Sequence, residues 1–401
     1  MENYTVDVIA GDGIGQEVVP AALGCLDAVA RRDGFSFDWR HRDWGADRYR
    51  LDGEMMPRDG LDQIADGDGI FLGAVGDPEI PDHVSLWGLL IPIRRAFLQY
   101  VNLRPVRLLP GVNSPLRDAA GLDVVVVREN IEGEYSEMGG RAYQGEPEEV
   151  ATQLALFSRA GITRVARYAA TLASSRSGSL VSATKSNGII HSMPFWDQVI
   201  AEVLVDYPDV RLESVLIDAL AARTVLRPLS LDVIVASNLF GDVLSDLVAA
   251  VGGSIGVAPS ANLNPEREHP SMFEPVHGSA PDIAGKGVAN PVGQIWAGAL
   301  MLEHIGQPTS ARTLMSALEG VLADGIRTPD LGGTSGTNEV AAAIVDRLQS
   351  QASETLVMRK PSTSVSGSGS NEGGKPSFGA LGHERGTPER FAKSRSKETK
   401  R

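Results

Sequence analysis

Asp242 and Asp246 stand four residues apart in Asn238-Leu239-Phe240-Gly241-Asp242-Val243-Leu244-Ser245-Asp246, just after an apolar run at 231–236 that reads as a buried strand. A helix beginning near Asp242 puts both carboxylates on one face, one turn apart. Paired oxygen ligands on a rigid element at the carboxyl end of a strand suit a hard divalent cation. The same spacing also suits a helix-capping Asp followed by a solvated face. On spacing alone both readings stand.

Three arginines add a second kind of chemistry. Arg94 follows Leu-Leu-Ile-Pro-Ile, Arg104 sits in Asn-Leu-Arg-Pro, and Arg128 ends the run 124–127. A guanidinium is a forked, permanently charged donor matched to carboxylates, and three around one cleft suit a dicarboxylate. Taken singly, each is an ordinary surface or ion-pair arginine. Tyr135 lies seven residues past Arg128. Lys185 leaves another apolar run in Thr184-Lys185-Ser186-Asn187, where partial burial would make it a base. Standing alone, it reads as a surface lysine. Asp218 ends a third run and reads equally as a helix cap.

A polar loop punctuated by Gly and Pro runs Glu274-Pro275-Val276-His277-Gly278-Ser279-Ala280-Pro281-Asp282-Ile283, with Asn290-Pro291 beyond it. Its serine lacks the Gly-x-Ser-x-Gly elbow of a hydrolase. The better reading is a loop that packs on an adenine and presents Asp282 to a ribose diol. An acid there repels a 2′-phosphate and favours NAD over NADP.

These groups need elements to hold them. The segment 4–10 reads as a strand ending in Gly11-Asp12-Gly13-Ile14-Gly15, which lacks the Gly-x-Gly-x-x-Gly spacing and is better read as a tight strand-to-helix turn. Strand-like runs recur at 69–74, 123–127, 179–183, 215–217 and 231–236. Helical patterns at 18–31, 150–173, 193–205 and 292–304 separate most of them. This alternation predicts an α/β protein with a largely parallel core sheet. The segment 139–147 has little apolar periodicity and reads as an excursion or small arm.

Composition sets bounds on function. A chain of 401 residues with 42% hydrophobic and 22% charged residues can bury a large core in more than one domain. The net charge of −14 argues against nucleic acid or an anionic membrane as partner. Cys25, the one cysteine, reads as a buried thiol and suits a reducing compartment. No signal-peptide pattern opens the chain and no run of about 18 apolar residues occurs, so a cytoplasmic protein is expected. Residues 359–401 hold ten basic and four acidic residues among many Ser and Gly, and read as a disordered basic tail.

Together the motifs resemble the β-decarboxylating dehydrogenases, which include isopropylmalate, isocitrate, tartrate and D-malate enzymes. The resemblance runs from about residue 4 to about residue 348. It rests on Gly11-Asp12-Gly13-Ile14-Gly15, Asn102-Leu103-Arg104-Pro105, Arg128-Glu129-Asn130 with Glu132-Gly133-Glu134-Tyr135, Thr184-Lys185-Ser186-Asn187, residues 238–246 and residues 273–283. Pro81-Asp82-His83-Val84-Ser85-Leu86-Trp87-Gly88, the stretch at 185–197 and Pro259-Ser260-Ala261-Asn262-Leu263-Asn264-Pro265-Glu266-Arg267 look most like the D-malate and tartrate branch.

The resemblance implies the family's two-domain α/β fold, not a Rossmann domain, with the active site in the interdomain cleft. Residues 1–100 plus 253–353 would form a large NAD-binding domain. Residues 101–252 would form a small domain with the dimer contact and the metal and substrate residues. Arg94, Arg104 and Arg128 would hold the substrate carboxylates, with Trp87 filling the space beyond C3. Asp242 and Asp246 would bind Mg²⁺ or Mn²⁺ together with Asp218 of a second subunit, and K⁺ is a further candidate ion. Lys185, also from the second subunit, would be the base and Tyr135 the acid. Asn187, Glu274, His277, Gly278, Ser279, Ala280, Asp282, Ile283 and Asn290 would contact NAD.

The implied activity is NAD-dependent oxidative decarboxylation of a small dicarboxylate 2-hydroxy acid by a homodimer, D-malate first and tartrate or 3-isopropylmalate as alternatives. A non-catalytic regulatory subunit would be expected to lose catalytic groups, whereas Tyr135, Lys185, Asp218, Asp242 and Asp246 are all present. One departure stands out. Asp77 occupies a position where related sequences are expected to carry Trp.

Overall fold

Strands with both faces covered read as near-continuous apolar runs, and the central strands here do so. Gly69–Ala74 and Val233–Ala236 are buried at every position, and Asp123–Glu129 at all but its first. The computed structural model describes residues 2–358; the expected tail at 359–401 lies outside the described residues.

In chain order the strands are β1 (Asn3–Gly11), β2 (Ser36–His41), β3 (Gly69–Ala74), β4 (Val101–Arg107), β5 (Asp123–Glu129), β6 (Gly139–Ala142), β7 (Val150–Gln153), β8 (Ser179–Thr184), β9 (Arg211–Leu216), β10 (Val233–Ala236), β11 (Pro259–Leu263) and β12 (Met272–Pro275). Ten of them form one sheet in the order β2-β1-β3-β12-β11-β4-β5-β10-β8-β9. Six of its pairings are parallel and three antiparallel, so the largely parallel sheet expected from sequence is present. The antiparallel pairings all involve β11 or β4. They join two parallel sets, β2-β1-β3-β12 and β5-β10-β8-β9, that run in opposite directions.

Helices cover both sets. Gly15–Asp33, Val292–His304 and Pro308–Ala323 pack together on the first, burying Leu26, Trp296 and Leu314. Arg159–Ser175 and Ser192–Leu204 pack on the second. Cys25 is fully buried, and burial pushes its thiol up to about 12, an inert group as expected.

Two expectations need correction. The helix read at 150–173 begins only at Arg159, where the Ser158 side chain accepts from the Gly161 N–H as an N-cap. Its first residues are instead β7, paired antiparallel with β6 in an exposed two-stranded ribbon. That ribbon is the excursion suspected at 139–147. The run read as a strand at 215–217 belongs to β9 only through Leu216; Ile217 already opens the helix Ile217–Leu226.

Candidate active site

Sheet register brings two of the three arginines together. In the antiparallel pair β4–β5, Asn102 lies opposite Arg128 and Arg104 opposite Val126. Residues two apart on a strand share a face, so Arg104 and Arg128 project to the same side. The helix Ile91–Ala96 delivers Arg94 in its last turn. All three line one open cleft, together with Leu86, Ile91, Tyr135, Asn238 and Asp242.

Each arginine is held by an anion or an amide. Arg94 Nη2 donates to Glu274 Oε1 at 2.8 Å, and both residues are buried. Arg104 Nη1 donates to Ser245 Oγ at 2.7 Å and to Asp246 Oδ1 at 3.1 Å. Arg128 places Nε and Nη2 on Asn238 Oδ1, at 3.0 and 2.6 Å, and Nη1 on Asp242 Oδ1. Burial, and then repulsion from Arg104, pulls the Arg128 guanidinium down to about 10, so it stays cationic at neutral pH. Crowded cations with one face open toward a cleft are the arrangement a dicarboxylate would neutralise.

The carboxylate pair sits as expected. The helix Asn238–Val251 starts after the Ser237 cap, and Asp242 and Asp246 occupy successive turns facing the arginines. Burial works against the Asp242 charge, but Arg128 and Arg104 overcome it and hold the carboxyl below its ordinary value. Asp246 goes the other way: burial raises it more than Arg104 lowers it. These are hard oxygen donors of the kind Mg²⁺ or Mn²⁺ takes. Among the described residues no group of three or more His, Cys, Asp or Glu is placed to hold a metal ion.

Tyr135 enters from the loop after β5. Its hydroxyl donates to Asp242 Oδ2 at 2.9 Å, and its ring lies beneath Arg128, 5.5 Å from centroid to guanidinium carbon. Burial, then the Asp242 charge, raises the phenol, so it carries its proton at neutral pH. Three glutamates missed by the sequence reading pin this loop. Glu129, pushed up to about 7 by burial, accepts from the Ile131 and Glu132 N–H groups at 3.0 and 2.6 Å. Glu132 accepts from Ser158 N and Oγ at 2.9 and 2.7 Å, at the start of the helix Arg159–Ser175. Glu134 accepts from Ser237 Oγ at 2.8 Å and Leu239 N at 3.0 Å, at the start of the carboxylate helix. In the sequence they stand only as members of the motif from Arg128 to Tyr135, with nothing in their spacing that names their partners.

Lys185 and Asp218 are not brought to this cleft. They leave the adjacent ends of β8 and β9 and pair with each other, Nζ to Oδ1 at 2.8 Å, with Asp218 66% exposed. Two places in the sheet order separate β8 from the arginine strand β5. Asn187, just past Lys185, is exposed. Trp87 is also placed differently from expectation. The π-helical turn Leu86–Leu90 sets Leu86 on the cleft wall, whereas the Trp87 ring stacks under Arg95 at 4.9 Å. The apolar wall of the cleft is Leu86, Ile91 and Ile131.

The loop after β12 packs against the Gly11–Gly15 turn. Gly13, at φ +53°, lets it close on the Gly11–Gly15 turn: the Ile14 N–H donates to Ser279 O at 2.8 Å, and a Cβ at position 13 would meet that oxygen at 2.1 Å. The segment is the tight strand-to-helix turn expected from its spacing, and the loop closes on it. Ala280, Ile283 and Ala284 pack on Ile14, Val18 and Ala289 to give an apolar surface. Asn290 is buried and held by Asp330 at 2.9 Å, and the Asp282 side chain is exposed beside that surface. Gly278 has open space where a side chain would go. Burial keeps His277 neutral, and its buried Nε2 has no protein partner, a free site for a ligand polar group. Glu274 sits apart from this surface, with Arg94 and with Asn262 Nδ2, which donates to it at 2.7 Å.

Residues 5–344 match the family model described as isocitrate/isopropylmalate dehydrogenase. The chain belongs to that family. It is 52% identical over 352 residues to a probable tartrate dehydrogenase/decarboxylase of Agrobacterium vitis, covering 87% of this chain and 98% of that protein. It is 50% identical over 354 residues to the D-malate dehydrogenase (decarboxylating) of Escherichia coli K12, covering 86% and 98%. Among solved structures, isocitrate dehydrogenase from Methylococcus capsulatus superposes with a TM-score of 0.79 at 34% identity, covering 86% of this chain and 99% of that one. The fold is therefore the family fold, and the chain is an oxidoreductase of the decarboxylating dehydrogenase class. No helix among the described residues is long and apolar enough to cross a membrane.

Proposed function

We propose that this dehydrogenase oxidatively decarboxylates D-malate with NAD, and accepts tartrate as a second substrate. The observation that carries the reading is the meeting of Arg94, Arg104, Arg128, Tyr135 and Asp242 in one cleft. The relatives named for D-malate and tartrate support the choice of substrate.

The arginines would grip the two carboxylates and fix C2 toward the cofactor loop. Asp242 and Asp246 would hold a divalent cation, which would supply Lewis-acid chemistry, and the loop at 274–283 would hold NAD, which would supply the hydride acceptor. Lys185 of the partner subunit would accept the hydroxyl proton. The bond from C3 to the distal carboxylate then breaks, carbon dioxide leaves, and its electron pair returns to C3 as Tyr135 delivers a proton. The products are pyruvate, carbon dioxide and NADH. The exposed Asp282 carboxylate supports NAD over NADP.

The active unit would be a homodimer with shared sites. Lys185 and Asp218 lie outside the cleft of their own chain, and among the described residues Asp242 and Asp246 belong to no group of three or more possible metal ligands. The division into a domain of residues 1–100 plus 253–353 and one of residues 101–252 also finds support in the sheet. Its order lists all strands of the first group, β2-β1-β3-β12-β11, before all those of the second.

3-Isopropylmalate is the second reading, since Leu86 and Ile91 give the cleft an apolar wall. Initial rates on D-malate, L-tartrate, meso-tartrate and 3-isopropylmalate, each with NAD or NADP and Mn²⁺, separate the two. D-malate with NAD is expected to give the highest kcat/KM. A preference for isopropylmalate, or for NADP, would refute the corresponding half of the proposal.

A further inference from the structure

Glu134 precedes the acid Tyr135 by one residue, yet its carboxylate belongs to another element. One oxygen accepts from Ser237 Oγ at 2.8 Å and the other from the Leu239 N–H at 3.0 Å. These groups open the helix Asn238–Val251, whose first turns carry Asp242. Helix N–H groups at this end have no partner within the helix and attract a carboxylate. The Tyr135 hydroxyl reaches the same helix, donating to Asp242 Oδ2 at 2.9 Å. The loop is stitched at two further points: Asn238 Nδ2 donates to Glu132 O at 2.9 Å, and Arg95 Nη2 donates to Tyr135 O at 3.0 Å. Gly133, at φ +93°, makes the turn that lets the loop lie on the helix, where a Cβ would meet Asn238 Cβ at 3.1 Å.

We propose that Glu134 is a positioning residue for proton delivery, locking the Tyr135 loop to the helix start so that phenol and metal-ligand carboxylate move as one body. The proposal rests on Tyr135 being the acid at C3. The Glu134 carboxylate touches no reacting atom in this scheme. It fixes where the phenol stands, and a misplacement near 1 Å is enough to slow such a step about 100-fold.

The test is a double-mutant cycle on D-malate turnover, with kcat, KM and the pre-steady-state burst of NADH as readouts. Glu134→Ala should lower kcat about 10- to 100-fold with KM changed less than about threefold, and should leave the NADH burst intact because hydride transfer precedes protonation. Glu134→Gln, which keeps one acceptor oxygen, should recover much of the loss. In the Tyr135→Phe background, Glu134→Ala should cost little more. If Glu134→Ala leaves kcat at the wild-type value, or removes the burst, or lowers kcat by the same factor with and without Tyr135, the positioning role is wrong. If Tyr135→Phe alone keeps wild-type kcat, the acid assignment itself is wrong. Should Glu134→Ala fail to fold, Glu134→Gln in the same cycle carries the test, with a smaller kcat loss that must likewise vanish in the Tyr135→Phe background.

Discussion

Asp242 is claimed from three sides: Arg128 and Arg104 at one oxygen, Tyr135 at the other. The phenol is thereby stored as a proton donor beside the carboxylate that would serve a metal. Replacing Tyr135 with Phe keeps the ring under Arg128 and removes only the transferable proton. The expected result is a kcat loss of about 10²- to 10⁴-fold with KM for D-malate nearly unchanged, measured by steady-state rates. The residue types of this site were legible from sequence, because forked cations and spaced carboxylates imply their chemistry. Their supports were not. Glu129, Glu132 and Glu134 act by capturing backbone N–H groups and hydroxyls, and no spacing rule reveals which helix start a loop carboxylate will meet. Trp87 shows the same limit: a single π-helical turn sends its neighbour Leu86 to the cleft instead.

At the level of elements, the cleft depends on how closely the helix Asn238–Val251 lies on β5. Gly241 permits that approach: a Cβ there would sit 2.7 Å from both Cβ and Cγ of Arg128. Gly241→Ala is therefore expected to push Arg128 out of line and raise the D-malate KM about 10-fold or more while leaving the NAD KM alone. Full kinetics with each substrate varied would check it, and equal changes in both KM values would count against a local effect. The core strands were readable as unbroken apolar runs because both faces are covered. The ribbon β6–β7 was only half readable, because its residues are exposed and its stability comes from pairing rather than burial. The direction reversal at β11 and β4 left no mark in local sequence, since strand direction is a tertiary choice.

For the whole molecule, the structure separates Lys185 and Asp218 from the cleft that, under the proposed function, would take a base and a third metal ligand from elsewhere. A shared site predicts complementation. Lys185→Met and Tyr135→Phe homodimers should each be nearly inactive, whereas a mixture dissociated and reassembled at random should regain about a quarter of wild-type activity, since half the dimers carry one intact site. No recovery would mean that both groups act within one chain. The family fold and its chemistry reach further than the individual substrate, so the central claim is best met by one progress curve. Purified protein with D-malate, NAD and Mn²⁺ is predicted to release pyruvate, carbon dioxide and NADH in equal amounts. NADH without matching carbon dioxide, or no NADH at all, would contradict it.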